Sequence, residues 1–149
     1  MKKIETVYIA GPYTPKGWFA KHAGSDTLMA VGSLVRYALD VFFAGYDPFC
    51  PGLDCLLFIK KEPDEVITEA MIKRFSKSWL KRCDALMLTP GWYTSDGCIA
   101  ELKTCIEYDI PVFRDLDDLK AGRVVDMNLV GDWVLTYPKG KWAKTKGLK

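Results

Sequence analysis

The chain has 149 residues, of which 49% are hydrophobic and 27% are charged, and this is the size of one ordinary globular domain. Its formal net charge of +2 is too small to indicate a nucleic-acid partner. Every apolar run is shorter than the roughly 18 residues of a membrane span. The N-terminus leads directly into a strand-like run rather than a signal peptide, so we expect a cytoplasmic protein with no membrane partner.

The cysteines do not form a recognisable metal or disulfide pattern. They are odd in number, lack a C-x-x-C pair and accompany a single histidine, His22. This disfavours a structural zinc site or a disulfide framework, and we expect no metal and no cofactor. Most of these thiols are expected to be small buried apolar groups, and a Cys–His nucleophile is a minor alternative. The five are Cys50, Cys55, Cys83, Cys98 and Cys105.

The first half of the chain predicts two strands around a long helix. Residues 5–10 are short, β-branched and apolar, and they end at Gly11-Pro12, as expected for a buried parallel strand. Apolar residues then recur at helical spacing from 28 to 42, and Gly45 ends that helix. The proline-bounded segment 46–51 predicts a second strand.

The second half continues the alternation. Pro63 is expected in the first turn of a helix that reaches Leu80, and residues 85–88 form a third strand. A helix with an apolar stripe from Ile99, a strand at 110–113, a short helix at 115–122 and a fifth strand at 132–137 follow. This pattern predicts a three-layer α/β fold with a mostly parallel five-stranded sheet. We expect one domain over residues 1–137 and a solvated tail at 138–149, which carries five lysines.

Residues 86–101 are the strongest candidate for a site. An apolar run ends at Pro90-Gly91, a short polar loop follows, and a helical pattern begins with one acid, Glu101. Ligands of open α/β sheets bind at the carboxyl ends of the strands, and helix N-termini bind anions. With Gly11 and its neighbours after the first strand, the loop predicts a polar pocket for a phosphate or a sugar. Two alternatives remain: the glycines serve tight turns, or Glu101 is an exposed helix carboxylate.

The common nucleotide-binding fingerprints, the Walker lysine motif and G-x-G-x-x-G, do not occur in this sequence. Two other motifs, however, resemble those of a known protein family. The sequence reads VYIAGPY at 7–13, and CDAL at 83–86 is followed by PGWYTSDGCIAE at 90–101. Together they resemble the nucleoside 2-deoxyribosyltransferase superfamily, in particular its branch of (deoxy)nucleoside 5′-monophosphate N-glycosidases. The resemblance covers roughly residues 4–114.

The resemblance implies a flavodoxin-like fold and cleavage of the bond between base and sugar. Glu101 matches the family nucleophile, which forms a glycosyl-enzyme intermediate, and Tyr8 matches the tyrosine that orients it. Ser95 and Gly97 match the loop that holds the 5′-phosphate or 5′-hydroxyl. Trp92 is expected either to stack on the base or to pack in the core, as is Phe49. The sugar-phosphate loop corresponds to Gly11, Pro12 and Tyr13.

One position departs from the family pattern. The acid that assists the leaving base is replaced by Ser76, a poor general acid, and Asp47 and Asp54 are candidates to replace it. In the transferase branch a partner subunit's asparagine enters the site, and Asn128 resembles it. The resemblance therefore implies a homodimer or higher homo-oligomer acting on a nucleoside or nucleotide. Base exchange and a non-catalytic nucleotide-binding module are the alternatives to hydrolysis.

Overall fold

The computed structural model describes residues 2–12, 23–52, 57 and 60–137, without the side chains of 23–30. Four strands and five helices alternate along this part of the chain, with a short 3-10 turn at Trp92–Thr94. The strands are β1 (Thr6–Ala10), β2 (Asp47–Phe49), β3 (Ala85–Leu88) and β4 (Val112–Phe113). The helices are α1 (Ala23–Phe43), α2 (Glu69–Leu80), α3 (Asp96–Tyr108), α4 (Leu116–Ala121) and α5 (Met127–Thr136).

The strands form one parallel sheet with the order β2-β1-β3-β4. The predicted α/β fold with a mostly parallel sheet is therefore confirmed, and the architecture is compatible with a Rossmann-like fold. The strand order also shows that β1 lies beside β3. The predicted count of five strands is wrong for the described residues, in which the sheet has four. None of the helices in this part of the chain is long and apolar enough to cross a membrane.

The predicted fifth strand is the second half of α5. Val130 and Trp133 are three residues apart and both buried, whereas Leu135 is 82% exposed, so the burial follows a helical period. Asp126 caps the helix, because its Oδ1 accepts the Asn128 N–H at 2.7 Å. The six residues 132–137, of which four are hydrophobic, do not by themselves distinguish a strand from a buried helix segment, and the cap decides in favour of the helix.

Helix α2 begins six residues later than predicted. Its N-cap is Thr68, whose Oγ1 accepts the Met71 N–H at 3.2 Å, and Glu69 is its first residue. Proline is well suited to a first helical turn but does not create the cap, whereas the threonine hydroxyl satisfies an otherwise unpaired donor. Pro63 therefore lies outside the helix.

Helices cover both faces of the sheet. Residues of β1 alternate between two buried clusters, with Val7 and Ile9 in one and Tyr8 and Ala10 in the other. The first cluster is closed by α1 and α4, and the second by α2, α3 and α5. The two central strands are buried on both sides, which explains why residues 7–10 of β1 and all of β3 are apolar.

Asp84 fixes the amino ends of β1 and β3 together. Its Oδ2 accepts the N–H groups of Glu5 and Thr6 at 3.0 Å each and the Thr6 hydroxyl at 3.1 Å, while Lys2 Nζ lies 2.6 Å from Oδ1. These contacts, first of all the one with Lys2, hold the pKa of the Asp84 carboxyl well below its usual range. The acid of the C-D-A-L motif therefore has a structural role at the end of the sheet opposite the candidate site.

Candidate active site

The carboxyl ends of β1 and β3 lie side by side. The backbone N–H of Thr89 donates to the Ala10 carbonyl at 2.9 Å, and the Thr89 hydroxyl donates to the same oxygen at 3.0 Å. A Cβ on Gly11 would lie 1.9 Å from Thr89 Oγ1 and 2.9 Å from Leu34 Cδ1. Glycine is required here because the strand ends approach too closely for a side chain. This junction forms the floor of the candidate site.

The loop after β3 leads directly into helix α3. Gly91 adopts a positive φ of 83°, and a Cβ at this position would lie 3.3 Å from Pro12 Cγ, so the loops after β1 and β3 also touch. The 3-10 turn follows, and Ser95 then caps α3 by accepting the Cys98 N–H on its Oγ at 3.3 Å. Ser95 and Gly97 therefore lie in the first turn of a helix, where backbone N–H groups favour anions.

Tyr8 and Glu101 meet at this edge of the sheet. Tyr8 is fully buried in β1, and its hydroxyl donates to Glu101 Oε1 at 2.7 Å. Glu101 is half-buried in the second turn of α3, on the side that faces the sheet. A hydrogen bond from a neutral donor to a carboxylate is short and strong, and it fixes the orientation of the carboxyl group. The pairing joins residues 93 positions apart and agrees with the role that the resemblance gives to Tyr8.

Two buried thiols lie one turn to either side of Glu101. Burial raises the pKa of Cys98 and of Cys105, and the negative charge of Glu101 raises both further. Both groups are therefore neutral thiols, which act as small apolar side chains beside the carboxylate.

No cluster of three or more His, Cys, Asp or Glu side chains that could hold a metal occurs among the residues with described positions.

Helix α5 and the residue at its C-terminal end, Tyr137, hold the loop and the start of α3 in place, a role that no sequence pattern predicted. Trp133 packs on Trp92 with ring centroids 4.9 Å apart. The Tyr137 hydroxyl donates to the Asp96 carboxylate, and burial together with this carboxylate raises the pKa of Tyr137 to about 12. The available sequence signal was the acid in the first turn of α3, but no spacing rule links it to a tyrosine 41 residues away.

The two aromatic candidates for base stacking both make packing contacts. Trp92 is 7% exposed and lies against Trp133, so little of its ring is accessible. Phe49 stacks on Trp79 with centroids 4.9 Å apart and also contacts the Tyr8 ring at 5.6 Å. Packing, the second interpretation of these residues, accounts for the contacts of both.

The other candidate residues are dispersed. Asp47 is exposed and pairs with Thr6, so it lies towards the amino end of the sheet, away from the junction of Gly11 and Thr89. Asn128 is exposed at the start of α5, and Ser76 is half-buried on α2. Tyr13 and Asp54, like His22 and the lysine-rich tail, lie outside the described residues. The structure thus brings Tyr8, Gly11, Pro12, Ser95, Gly97 and Glu101 to one edge.

Two clefts of the described part lie elsewhere. One of about 630 Å³ is lined by Leu57, by residues between 60 and 67 and by the first half of α2. The other, of about 420 Å³, is lined by the second half of α2 and by the two basic residues that follow it, Lys81 and Arg82. Neither includes Tyr8 or Glu101. The segments that follow β1 and β2 in the chain, 13–22 and 53–56, are outside the described part, so the candidate site is defined by its floor and by α3.

No protein-family model, no curated protein and no solved structure matches this chain. The family resemblance therefore remains a hypothesis, and the residues gathered at the ends of β1 and β3 are the structural indication of function.

Proposed function

We propose that this protein cleaves the N-glycosidic bond of a (deoxy)nucleoside 5′-monophosphate, with Glu101 as the nucleophile, and that it releases a free base and a sugar phosphate. The observation that carries the proposal is the 2.7 Å hydrogen bond from the Tyr8 hydroxyl to Glu101 Oε1. It occurs beside the junction of β1 and β3. The chain adds β2 on one side of β1 and then crosses to place β3 on the other, so this junction is the topological switch point of the sheet. That switch point is where open α/β sheets bind their ligands.

The strand order supports assignment to the flavodoxin-like fold in particular. The order β2-β1-β3-β4 is that of the first four strands of the flavodoxin-like arrangement, which binds its ligand between β1 and β3. We therefore propose a flavodoxin-like fold and membership of the nucleoside 2-deoxyribosyltransferase superfamily, on the Tyr8 and Glu101 motifs together.

In the proposed reaction the Glu101 carboxylate attacks the anomeric carbon while the bond to the base breaks, and the bonding electrons leave with the base. The product is a glycosyl ester of Glu101, which water hydrolyses to release the sugar and regenerate the carboxylate. Tyr8 holds one carboxylate oxygen, so that the group does not have to be oriented during the reaction. Ser95 and Gly97, in the first turn of α3, are the proposed contacts for the 5′-phosphate.

No acid for the leaving base is assigned. Ser76 cannot supply a proton at neutral pH, and Asp47 lies towards the other end of the sheet. The proposal therefore favours substrates whose base leaves readily without a proton from the protein. The same serine favours a second candidate, a nucleotide-binding module that retains the pocket without turnover. Base exchange, with a second base in place of water, remains the alternative within the enzymes.

The test is release of free base from a panel of nucleosides and 5′-monophosphates, followed by chromatography. We expect release by the wild type and none by Glu101→Gln, which preserves shape but removes the nucleophile. Glu107→Gln is the matched control on the same helix, because Glu107 is exposed and bound to Lys77 at 2.9 Å. Thermal stabilisation by an intact nucleotide without base release would favour the binding module. A new nucleoside formed when a second base is added would favour exchange.

Tyr8→Phe tests the positioning role. A hydrogen bond to a charged group contributes about 1.5–3 kcal/mol, which corresponds to a loss of roughly 10- to 150-fold in kcat/KM. The loss is expected in kcat rather than KM. The lower pKa of the pH profile should also rise, because the carboxylate loses a donor that favours its charged form. An unchanged kcat and pH profile would contradict the role assigned to Tyr8.

A further inference from the structure

One side of helix α1 is apolar and exposed. At 100° per residue, four of its side chains fall within a sector of about 100°, beside the side that packs on the sheet. We call these four the α1 apolar face: Val35 is 41% exposed, Leu39 39%, Phe42 57% and Phe43 75%. The rings of Phe42 and Phe43 contact each other with centroids 6.0 Å apart, so the face ends in an aromatic pair.

Packing among the residues that the structure describes does not account for this face. Single exposed apolar residues are normal, but a contiguous patch on one helix marks an interaction surface. Gly32 falls in the same sector, is exposed, and would have open space around a Cβ. A glycine inside a helix costs about 1 kcal/mol relative to alanine, and here no neighbour within the described chain requires it. Such a small residue leaves room for another helix to approach α1.

The border of the face indicates what covers it. Arg36 and Asp40 lie along one side, form an ion pair with each other, and are 62% and 41% exposed. A border with one basic and one acidic residue a turn apart is complementary to itself. When two such helices pair about a twofold axis, Arg36 of each copy meets Asp40 of the other. A partner that carries charges of only one sign would not match this border.

We propose that the α1 apolar face is a contact between two copies of this chain, paired α1 against α1. The helix packs on the sheet face that carries Val7 and Ile9, whereas Tyr8 and Glu101 lie on the opposite face. Pairing through α1 therefore does not bring Asn128 of a second copy to Glu101, in contrast to the arrangement that the family resemblance implies. Each copy retains its own candidate site in this dimer.

The test is the molecular mass of the full chain by sedimentation velocity over a series of protein concentrations. We expect the mass to rise with concentration to twice the 16.8 kDa of one chain, because one helix face is smaller than the roughly 800 Å² per partner of a standard stable interface. Phe43→Lys should raise the dimer Kd by at least about tenfold, since it places a charge in the apolar contact. Circular dichroism and the melting temperature confirm that each variant is folded.

Leu135→Lys is the matched control, because Leu135 is 82% exposed on α5, on the other side of the sheet. It should leave the Kd unchanged. Arg36→Glu should weaken the dimer, and the double variant Arg36→Glu, Asp40→Arg should restore it. A chain that remains monomeric at every concentration would overturn the proposal, as would a folded Phe43→Lys variant with the wild-type Kd. Neither outcome bears on base release, which is measured separately.

Discussion

Gly11→Ala should destabilise the fold strongly, and Thr89→Ala should relieve most of that effect. The added Cβ would lie 1.9 Å from Thr89 Oγ1, whereas non-bonded carbon contacts are comfortable at roughly 3.5–4.0 Å. Thr89 is 3% exposed and can yield only by turning its hydroxyl away from the Ala10 carbonyl, which it now reaches at 3.0 Å. That movement loses a buried hydrogen bond, worth about 1 kcal/mol, in addition to an overpacking cost of about 1–3 kcal/mol. We expect a total loss of about 2–4 kcal/mol.

The double variant separates this clash from other effects of the alanine. Without the threonine hydroxyl, the nearest atom of residue 89 is its Cβ, 3.3 Å from the new methyl group, and the Leu34 side chain at 2.9 Å is flexible. Gly11→Ala should then cost no more than about 1 kcal/mol, because alanine also restricts the unfolded chain. The expected coupling between the two positions is about 1–3 kcal/mol in favour of the double variant.

Urea unfolding followed by tryptophan fluorescence and by circular dichroism measures the four free energies of the cycle. Coincident transitions would justify a two-state treatment. Additivity within roughly 0.5 kcal/mol would refute the argument, as would a neutral Gly11→Ala. Either result would mean that β1 and β3 do not approach as closely as the floor of the candidate site requires.

Three further predictions concern Asp84 at the opposite end of the sheet and two residues, Ser95 and Trp133, that support the candidate site. Asp84→Asn should lower the free energy of unfolding by about 2 kcal/mol at neutral pH. Because folding lowers the pKa of Asp84, its stabilising contribution is present above the unfolded pKa of about 3.9 and disappears as the pH falls through the lower folded pKa. Urea unfolding at stepwise lower pH should therefore show the stability difference between the variant and the wild type becoming smaller. A difference that does not change with pH would contradict this. Ser95→Ala should lower the free energy of unfolding by about 1 kcal/mol, because the Cys98 N–H loses its capping acceptor, and Ser95→Asp should restore the stability. Equal stability of the wild type and both variants in urea would contradict the capping role. Trp133→Ala should lose about 3–5 kcal/mol because the ring is 2% exposed, whereas Trp133→Phe should lose less, and melting temperatures that match the wild type would refute its packing role.

The sequence predicted those elements whose signals are local. β1 and β3 are short apolar runs with glycine or proline after them, and α3 has both a serine cap and an apolar stripe. The sequence does not show that β1 and β3 are neighbours, which the strand order establishes. Given that they are, the rule that the carboxyl ends of parallel strands meet at one edge places Gly11 near the loop after β3. The Tyr8–Glu101 pair came from the resemblance, and the hydrogen bond at 2.7 Å agrees with it.

The remaining features depend on tertiary contacts. Residues 132–137 were predicted as a strand because a short, mostly hydrophobic segment fits the repeat of a strand as well as that of a helix. The N-cap that identifies the helix, Asp126, lies six residues earlier. Asp47 is a candidate to replace the acid missing at Ser76, but the register of β2 against Thr6 places it towards the opposite edge of the sheet. The contacts of Trp133 and Tyr137 with the loop and α3 join distant segments and have no local signature.

If Glu101 is the nucleophile, it becomes covalently linked to the sugar during the reaction. The most direct measurement uses the substrate that releases its base in the panel, prepared with fluorine at the 2′ position to slow both steps of a retaining glycosidase reaction. After incubation, intact-mass and peptide analysis should show one added sugar phosphate on the peptide that contains Glu101, and no addition in Glu101→Gln. An adduct on another residue, or base release by Glu101→Gln at the wild-type rate, would contradict the claim.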